Sequence, residues 1–369
     1  MAILTAGLTA TAALSVPAVA NAAPDTIPDL VVPAPTGPHR VGVTELHLID
    51  RKRADLWVPE RRRELMVSVW YPAGGGQGGE DPYVSAEESR LILERSRIEG
   101  VPTDLLSRVR TNARTGVPAL KRPHGWPVVL LSPGFSYPRS SLTALGEDLA
   151  SRGYVVAGVD HTYEAAAVTF PDGRIAECTV CDLLDQDLVQ GSQVTAGRAA
   201  DLSFVLDELS RRGVRGARVD AGRVAVAGHS IGGAAAAAAM QRDRRFDAGI
   251  NLDGTFHPAV TGLSRPFLMV GNGNDHGAPG TDDSWDTTWQ NLTGWRRWVT
   301  VSGTEHASFC DYAVFGQQAG IPVQPLPGDR VVEITRAYVA AFADLHLRHE
   351  RTRLFDGPSP HYPEITFHP

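Results

Sequence analysis

Cysteine is scarce in this chain, with three in 369 residues. Cys178 and Cys181 form a lone C-x-x-C, and Cys310 stands apart. No second Cys or His pair lies at ligand spacing from that motif, so it does not read as a zinc site. A thioredoxin-like context is missing, so it does not read as a redox centre either. No ligand cluster for another metal is visible, and no cofactor is expected. Basic charge is limited too. The formal net charge is −7 and the pI about 5.9. The runs Arg51-Lys52-Arg53 and Arg61-Arg62-Arg63 flank an expected turn between two strands. They read as a solvated edge rather than a nucleic-acid surface. The Gly-rich stretch "GGGQGG" (74–79) lacks the Gly-Lys-Ser/Thr ending of a phosphate loop. There is no internal repeat.

A long hydrophobic run is also missing. Residues 1–22 are apolar, small and uncharged. They are too short and too poor in Leu, Ile and Phe for a membrane span. They end in Ala20-Asn21-Ala22, an A-x-A cleavage signal, although the basic n-region of a signal peptide is missing. The expectation is an exported, secreted chain, cut near Ala22. Disulfides persist outside the cytosol. Cys178 can pair with Cys181, or one of the two can pair with Cys310. The local bridge is favoured, because cysteines so close in sequence meet often when the chain first oxidises.

What is present is an ordinary globular composition, 43% hydrophobic and 21% charged, enough for one large domain. A Pro-rich lead-in (23–40) precedes alternating strands and helices. Strands are expected at 43–50, 65–72, 127–134, 154–161, 224–227, 247–254, 266–272 and 296–303. Helices are expected at 141–153, 194–212, 231–240 and 331–349, with a polar helical insertion near 85–115. Unbroken apolar strands alternating with helices predict a mostly parallel sheet of about eight strands, covered on both faces, in one α/β domain over 41–369.

The stretch "VAVAGHSIGG" (224–233) carries the chemistry. A strand that turns straight into a helix strains the residue at the turn, and its neighbours two positions away must be small. Gly228 and Gly232 meet that demand and hold Ser230 at the tip. This G-x-S-x-G pattern is the nucleophile elbow of α/β-hydrolases; the plainer reading is a Gly-rich helix start with a capping serine. A serine hydroxyl needs a base, usually a histidine oriented by a carboxylate. His306 follows the last expected strand and is the candidate base, while His257 and His276 lie beyond earlier strands. Asp253 and Asp275 each follow a strand after the elbow, and pattern alone does not separate them. Oxyanion donors are expected at the backbone N–H of Ile231 and at Phe135 in "SPGFS", where Gly134 permits close approach.

From "SVWYP" through "LSPGFS", "LASRGYVVAGVDH", "AGHSIGG", "INLDGTFHP" and "SGTEHASFCDY", the chain resembles the platelet-activating factor acetylhydrolase family of serine phospholipases. The resemblance covers roughly residues 40 to 320. It implies an α/β-hydrolase fold, Asp253 rather than Asp275 as the acid, His306 in a G-x-x-H segment as the base, and Phe135 as the loop donor. Pro133 stands where the family has a histidine before that glycine. By resemblance the substrate is a phospholipid-like ester with a short or oxidised acyl chain. A monomer that meets a lipid surface peripherally is expected, with no nucleic-acid partner. Simple esters, triglycerides and polyesters are the alternatives; a peptidase or a hydrolase-like binding protein is disfavoured. Trp285, Trp289, Trp295 and Trp298 crowd the segment between the last two strands. They read as core packing, with an acyl-gripping rim as the sharper alternative.

Overall fold

The computed structural model describes residues 27–186, 188–278 and 280–369. The expected export segment, residues 1–22, lies outside the described residues. The chain opens with a long hairpin, β1 (Arg40–Ala54) and β2 (Arg62–Ala73). A two-residue strand β3 (Gly79–Glu80), helix α1 (Ala86–Arg95) and a second two-residue strand β4 (Arg114–Thr115) form the insertion. The regular part then runs through β5 (Trp126–Ser132), α2 (Thr143–Ser151) and β6 (Val155–His161). A small hairpin of β7 (Ala167–Thr169) and β8 (Ile175–Glu177) leads into α3 (Thr179–Asp185) and α4 (Gly191–Arg212). Next come β9 (Val219–His229), α5 (Ile231–Arg242), β10 (Ala248–Leu252), β11 (Phe267–Asn272), α6 (Asp283–Asn291) and β12 (Arg296–Val301). The chain closes with α7 (Tyr312–Gln318), α8 (Gly328–Leu347) and β13 (Ile365–His368).

The main sheet has the order β13-β12-β11-β10-β9-β5-β6-β2-β1-β4-β3. The pairings from β12 across to β6 are all parallel. The outer pairs β12–β13, β6–β2 and β2–β1 are antiparallel. The eight long strands are those expected from sequence; β3, β4 and β13 are short additions at the edges, two to four residues each, below the length at which apolar alternation can be read.

Central strands are buried on both faces, so they read as continuous apolar runs. "WPVVLLS" of β5 and "VVAGVDH" of β6 are buried throughout. On one face Leu202, Val205, Leu206 and Leu209 of α4 join Ala235, Ala236 and Met240 of α5 and Trp285 of α6 in one core. On the other face Leu145 and Leu149 of α2 meet Ile334, Tyr338 and Phe342 of α8. The alanine run of α5 lets that helix lie close to the sheet under the serine. Trp285 and Trp298 are fully buried, and Trp289 packs against the same core. Trp285 and Trp298 are therefore core residues, which excludes them from a lipid-gripping rim, while Trp295 is half-buried against the opposite core. Cys178 and Cys181 are disulfide-bonded and Cys310 is free and buried.

The Arg61-Arg62-Arg63 run is not wholly the solvated edge that its charge suggested. Arg63 is 1% exposed. Its guanidinium pairs with Asp55 at 2.8 Å and with Asp201 of α4 at 2.6 Å, and it donates to the Thr162 carbonyl at 2.9 Å. Asp201 also pairs with Arg53 at 2.9 Å. This network ties the first hairpin to α4. Deleting one member of a buried ion network leaves the others desolvated and uncompensated. Arg63→Met is therefore expected to cost about 3–5 kcal/mol in urea unfolding, while Arg61→Met changes stability by less than about 0.5 kcal/mol. Equal effects from the two variants would contradict the network.

Candidate active site

The turn between β9 and α5 is as tight as its glycines demand. A Cβ at Gly228 would lie 2.2 Å from the Gly232 carbonyl carbon, and one at Gly232 would lie 2.0 Å from the Ser132 oxygen. Ser230 sits between them at φ 56°, ψ −132°, a conformation L-residues rarely adopt. Its backbone N–H donates to the Leu252 carbonyl at 2.8 Å, tying the strained residue to the end of β10. Asp253, the next residue after β10, also has positive φ, at 60°. Its N–H is held by the Val270 carbonyl at 2.8 Å.

The loop after β12 brings His306 to the same place. Its Nε2 is 2.8 Å from Ser230 Oγ, and its Nδ1 is 2.8 Å from Asp253 Oδ2. A carboxylate only accepts, so Nδ1–H donates to Asp253 and Nε2 is left to accept from the serine hydroxyl. The His306 side chain is 52% exposed, whereas Asp253 is buried. Burial alone would raise the Asp253 pKa. Bonds from His276 and His306 overcome that and hold the carboxyl well below the usual range. The Asn272 backbone N–H, at 2.6 Å, and Asn272 Nδ2, at 3.0 Å, add two further donors. Asp275 does not take this place. Its carboxylate accepts from Asn272 Nδ2 at 3.1 Å and from Thr281, in the turn beyond β11.

Ile231 is the first residue of α5, so its N–H has no partner within the helix. Phe135 lies in the loop after β5, packed against the Cys178–Cys181 bridge. That loop is held from below. Buried Arg198 of α4 donates to the Pro133 carbonyl at 2.5 Å and pairs with Glu164 at 2.6 Å. Ser136 N–H donates to the Glu164 carbonyl at 2.9 Å. Gly134 presses on His229, where a Cβ would lie 2.8 Å from Nδ1.

His229, the residue before the serine, is given no role by the sequence pattern. Its Nε2–H donates to the His306 carbonyl at 2.8 Å, and its ring stacks on Tyr137. Burial, reinforced by His306, pushes its pKa down to about 4, so it stays neutral and supports the base loop as a hydrogen-bond donor. Arg198 and Asn272 were missed as well. All three act through contacts made across many residues of chain, which a local pattern does not encode.

A second Ser–His–Asp set lies one strand away. Ser132 Oγ is 2.9 Å from His161 Nε2, and His161 Nδ1 is 2.9 Å from Asp201 Oδ2. Ser132, His161 and Asp201 are all at most 1% exposed. Burial, helped by Arg198, lowers the His161 pKa. All three side chains of this set are buried, whereas Ser230 is half-buried and the His306 side chain is 52% exposed. Among the described residues no group of three or more His, Cys, Asp and Glu side chains could hold a metal ion. No helix there is long and apolar enough to cross a membrane.

Two family models match the chain. One, PET hydrolase-like, covers residues 122–313. The other, platelet-activating factor acetylhydrolase isoform II, covers residues 26–180. Among curated proteins, the chain is 28% identical to a probable 1-alkyl-2-acetylglycerophosphocholine esterase of Arthroderma benhamiae, over 95% of this chain and 97% of that one. It is 30% identical to a bis(hydroxyethyl) terephthalate hydrolase of Streptomyces coelicolor, over 56% of this chain and 60% of that one. Among solved structures, a ferulic acid esterase from Streptomyces cinnamoneus superimposes with a TM-score of 0.82 and 44% identity, covering 92% of this chain and 99% of that one. With the sheet order, the elbow and these likenesses together, the chain belongs to the platelet-activating factor acetylhydrolase and PET hydrolase-like family of α/β-hydrolases, and it is a serine-type carboxylic ester hydrolase.

Proposed function

We propose that Ser230, His306 and Asp253 are the triad that hydrolyses the ester, with the Phe135 and Ile231 amides as the oxyanion hole. The observation that carries this is the Ser230–His306–Asp253 chain, 2.8 Å at each link, set on a strained turn beside a helix N-terminus. His306 takes the Ser230 proton as Oγ attacks the acyl carbon. The carbonyl oxygen becomes an oxyanion between the two amides. His306, now an imidazolium held by Asp253, gives the proton to the departing alcohol, leaving the acyl group on Ser230. Water, deprotonated by the same His306, then attacks the acyl-enzyme and regenerates the serine. No step calls for a cofactor.

For substrate, we propose an ester with a short acyl group, phospholipid-like in the manner of the 1-alkyl-2-acetylglycerophosphocholine esterase relative. The half-exposed base supports an open site that accepts a large alcohol. Esters of aromatic acids are a second reading, favoured by the 44% identity to a ferulic acid esterase. Export through residues 1–22 is part of the same proposal, on the strength of the A-x-A end of that segment.

The experiment is a panel of p-nitrophenyl acetate, butyrate and octanoate, an acetylated glycerophosphocholine, methyl ferulate and bis(hydroxyethyl) terephthalate. The short-acyl reading expects kcat/KM to fall steadily with chain length and the acetylated phospholipid to be cleaved. Preference for methyl ferulate by more than about tenfold (1.4 kcal/mol) would replace it with the aromatic reading.

Ser230→Ala is expected to lower kcat by about 10⁴–10⁶ with an unchanged Tm. Activity within tenfold of the parent would remove Ser230 from the mechanism. Asp253→Asn presents the wrong hydrogen-bonding group to His306 and is expected to lose about 10⁴ in kcat, while Asp275→Asn stays within about tenfold. The reverse ranking would move the acid to the turn beyond β11.

A further inference from the structure

His276 lies just beyond β11 with its imidazole between two carboxylates. Nδ1 is 2.7 Å from Asp253 Oδ1, and Nε2 is 3.2 Å from Asp282 Oδ2. Ionised carboxylates only accept hydrogen bonds, so both contacts hold only when both ring nitrogens carry protons. The ring is nearly buried. It stacks on Trp285 with centroids 4.2 Å apart, and its backbone carbonyl accepts from Trp298 Nε1 at 2.8 Å. The packing leaves little room to turn away from either carboxylate. The charged and titratable groups facing it are Asp253 at the end of β10, Asp282 ahead of α6, and His306 across Asp253. Asp275 joins on its own turn, through Asn272.

We propose that His276 is a cationic positioning residue for ester hydrolysis: a fixed imidazolium that shares the Asp253 carboxylate with His306 and so sets how firmly that carboxylate holds a proton on the base. The proposal rests on the reading of Ser230, His306 and Asp253 as the triad. Asp253 offers Oδ1 to His276 and Oδ2 to His306, so one imidazole fixes the rotation of the carboxylate that the other depends on. When His306 takes the serine proton, two cations flank one anion. The charge on His276 works against that second positive charge beside Asp253. Burial would lower the His276 pKa, but the bonds to Asp253 and Asp282 carry it up to about 9. The raised value also has a sign for stability. The contribution of the charged ring is complete below the unfolded histidine value, about 6.5, and is lost as pH rises through about 9.

The test is the pH dependence of kcat/KM on p-nitrophenyl acetate for the parent and for His276→Gln, whose amide can still donate to Asp253 but cannot carry charge. The expected result is an acid limb moved up by about one pH unit. A uniform loss at every pH with an unmoved acid limb would reduce His276 to a packing residue. Should the variant not fold, ¹⁵N-histidine NMR of the parent decides: His276 must show both ring nitrogens protonated at pH 7.5, and a neutral tautomer there overturns the proposal. Asp253→Asn run alongside separates the two readings. If that variant keeps full activity, the triad reading fails. If it is inactive while the His276→Gln acid limb stays put, only the role of His276 fails.

Discussion

Ser230 is held in a backbone conformation that a serine does not choose. Strain of this kind persists only where the surroundings over-determine it. Here they do so from three sides. The N–H of Ser230 is bonded to the end of β10, the two glycines of the elbow let α5 sit against β5 and β9, and α5 itself is locked into the core by its alanines and Met240. The same turn places Asp253 one residue beyond the carbonyl that holds Ser230. The proposed nucleophile and acid are therefore positioned by one local arrangement, and only the proposed base comes from a distant loop.

The loops and the carboxylate around Ser230 have supports of their own. His229 holds the backbone of His306, Arg198 holds the carbonyl of Pro133, and His276 and Asn272 hold Asp253. Each is buried; His229 ends β9, Asn272 ends β11, Arg198 lies on α4 and His276 in the turn beyond β11. Orientation errors of about 1 Å can cost 10²-fold in rate, so a site open enough to leave the base half exposed depends on such anchors beneath it.

The elbow was legible because its constraint is local: five consecutive residues, a strand before and a helix after. His306 was legible from its place after the last central strand. Asp253 and Asp275 stood level on pattern, since both follow a strand after the elbow; what separates them is that Asp253 is the residue leaving β10, directly beneath the base. Arg63 misled, because three adjacent arginines look like surface. Its partner Asp201 lies 138 residues away, and nothing in the run announces that the hairpin turns this one side chain inward. The Ser132–His161–Asp201 set was invisible for the same reason. Its three residues sit on β5, β6 and α4 and meet only when the sheet forms.

The coexistence of two Ser–His–Asp sets in one chain makes access, rather than geometry, the deciding property. Hydrogen-bond distances alone hardly distinguish Ser132 from Ser230. Burial does. Ser132 is fully buried, with Arg198 beside it, while Ser230 is half-buried at the turn into α5. Reaction with a fluorophosphonate followed by peptide mass mapping tests this most directly. The account predicts a single adduct on Ser230 and none on Ser132, whereas an adduct on Ser132, or none on either serine, would contradict it.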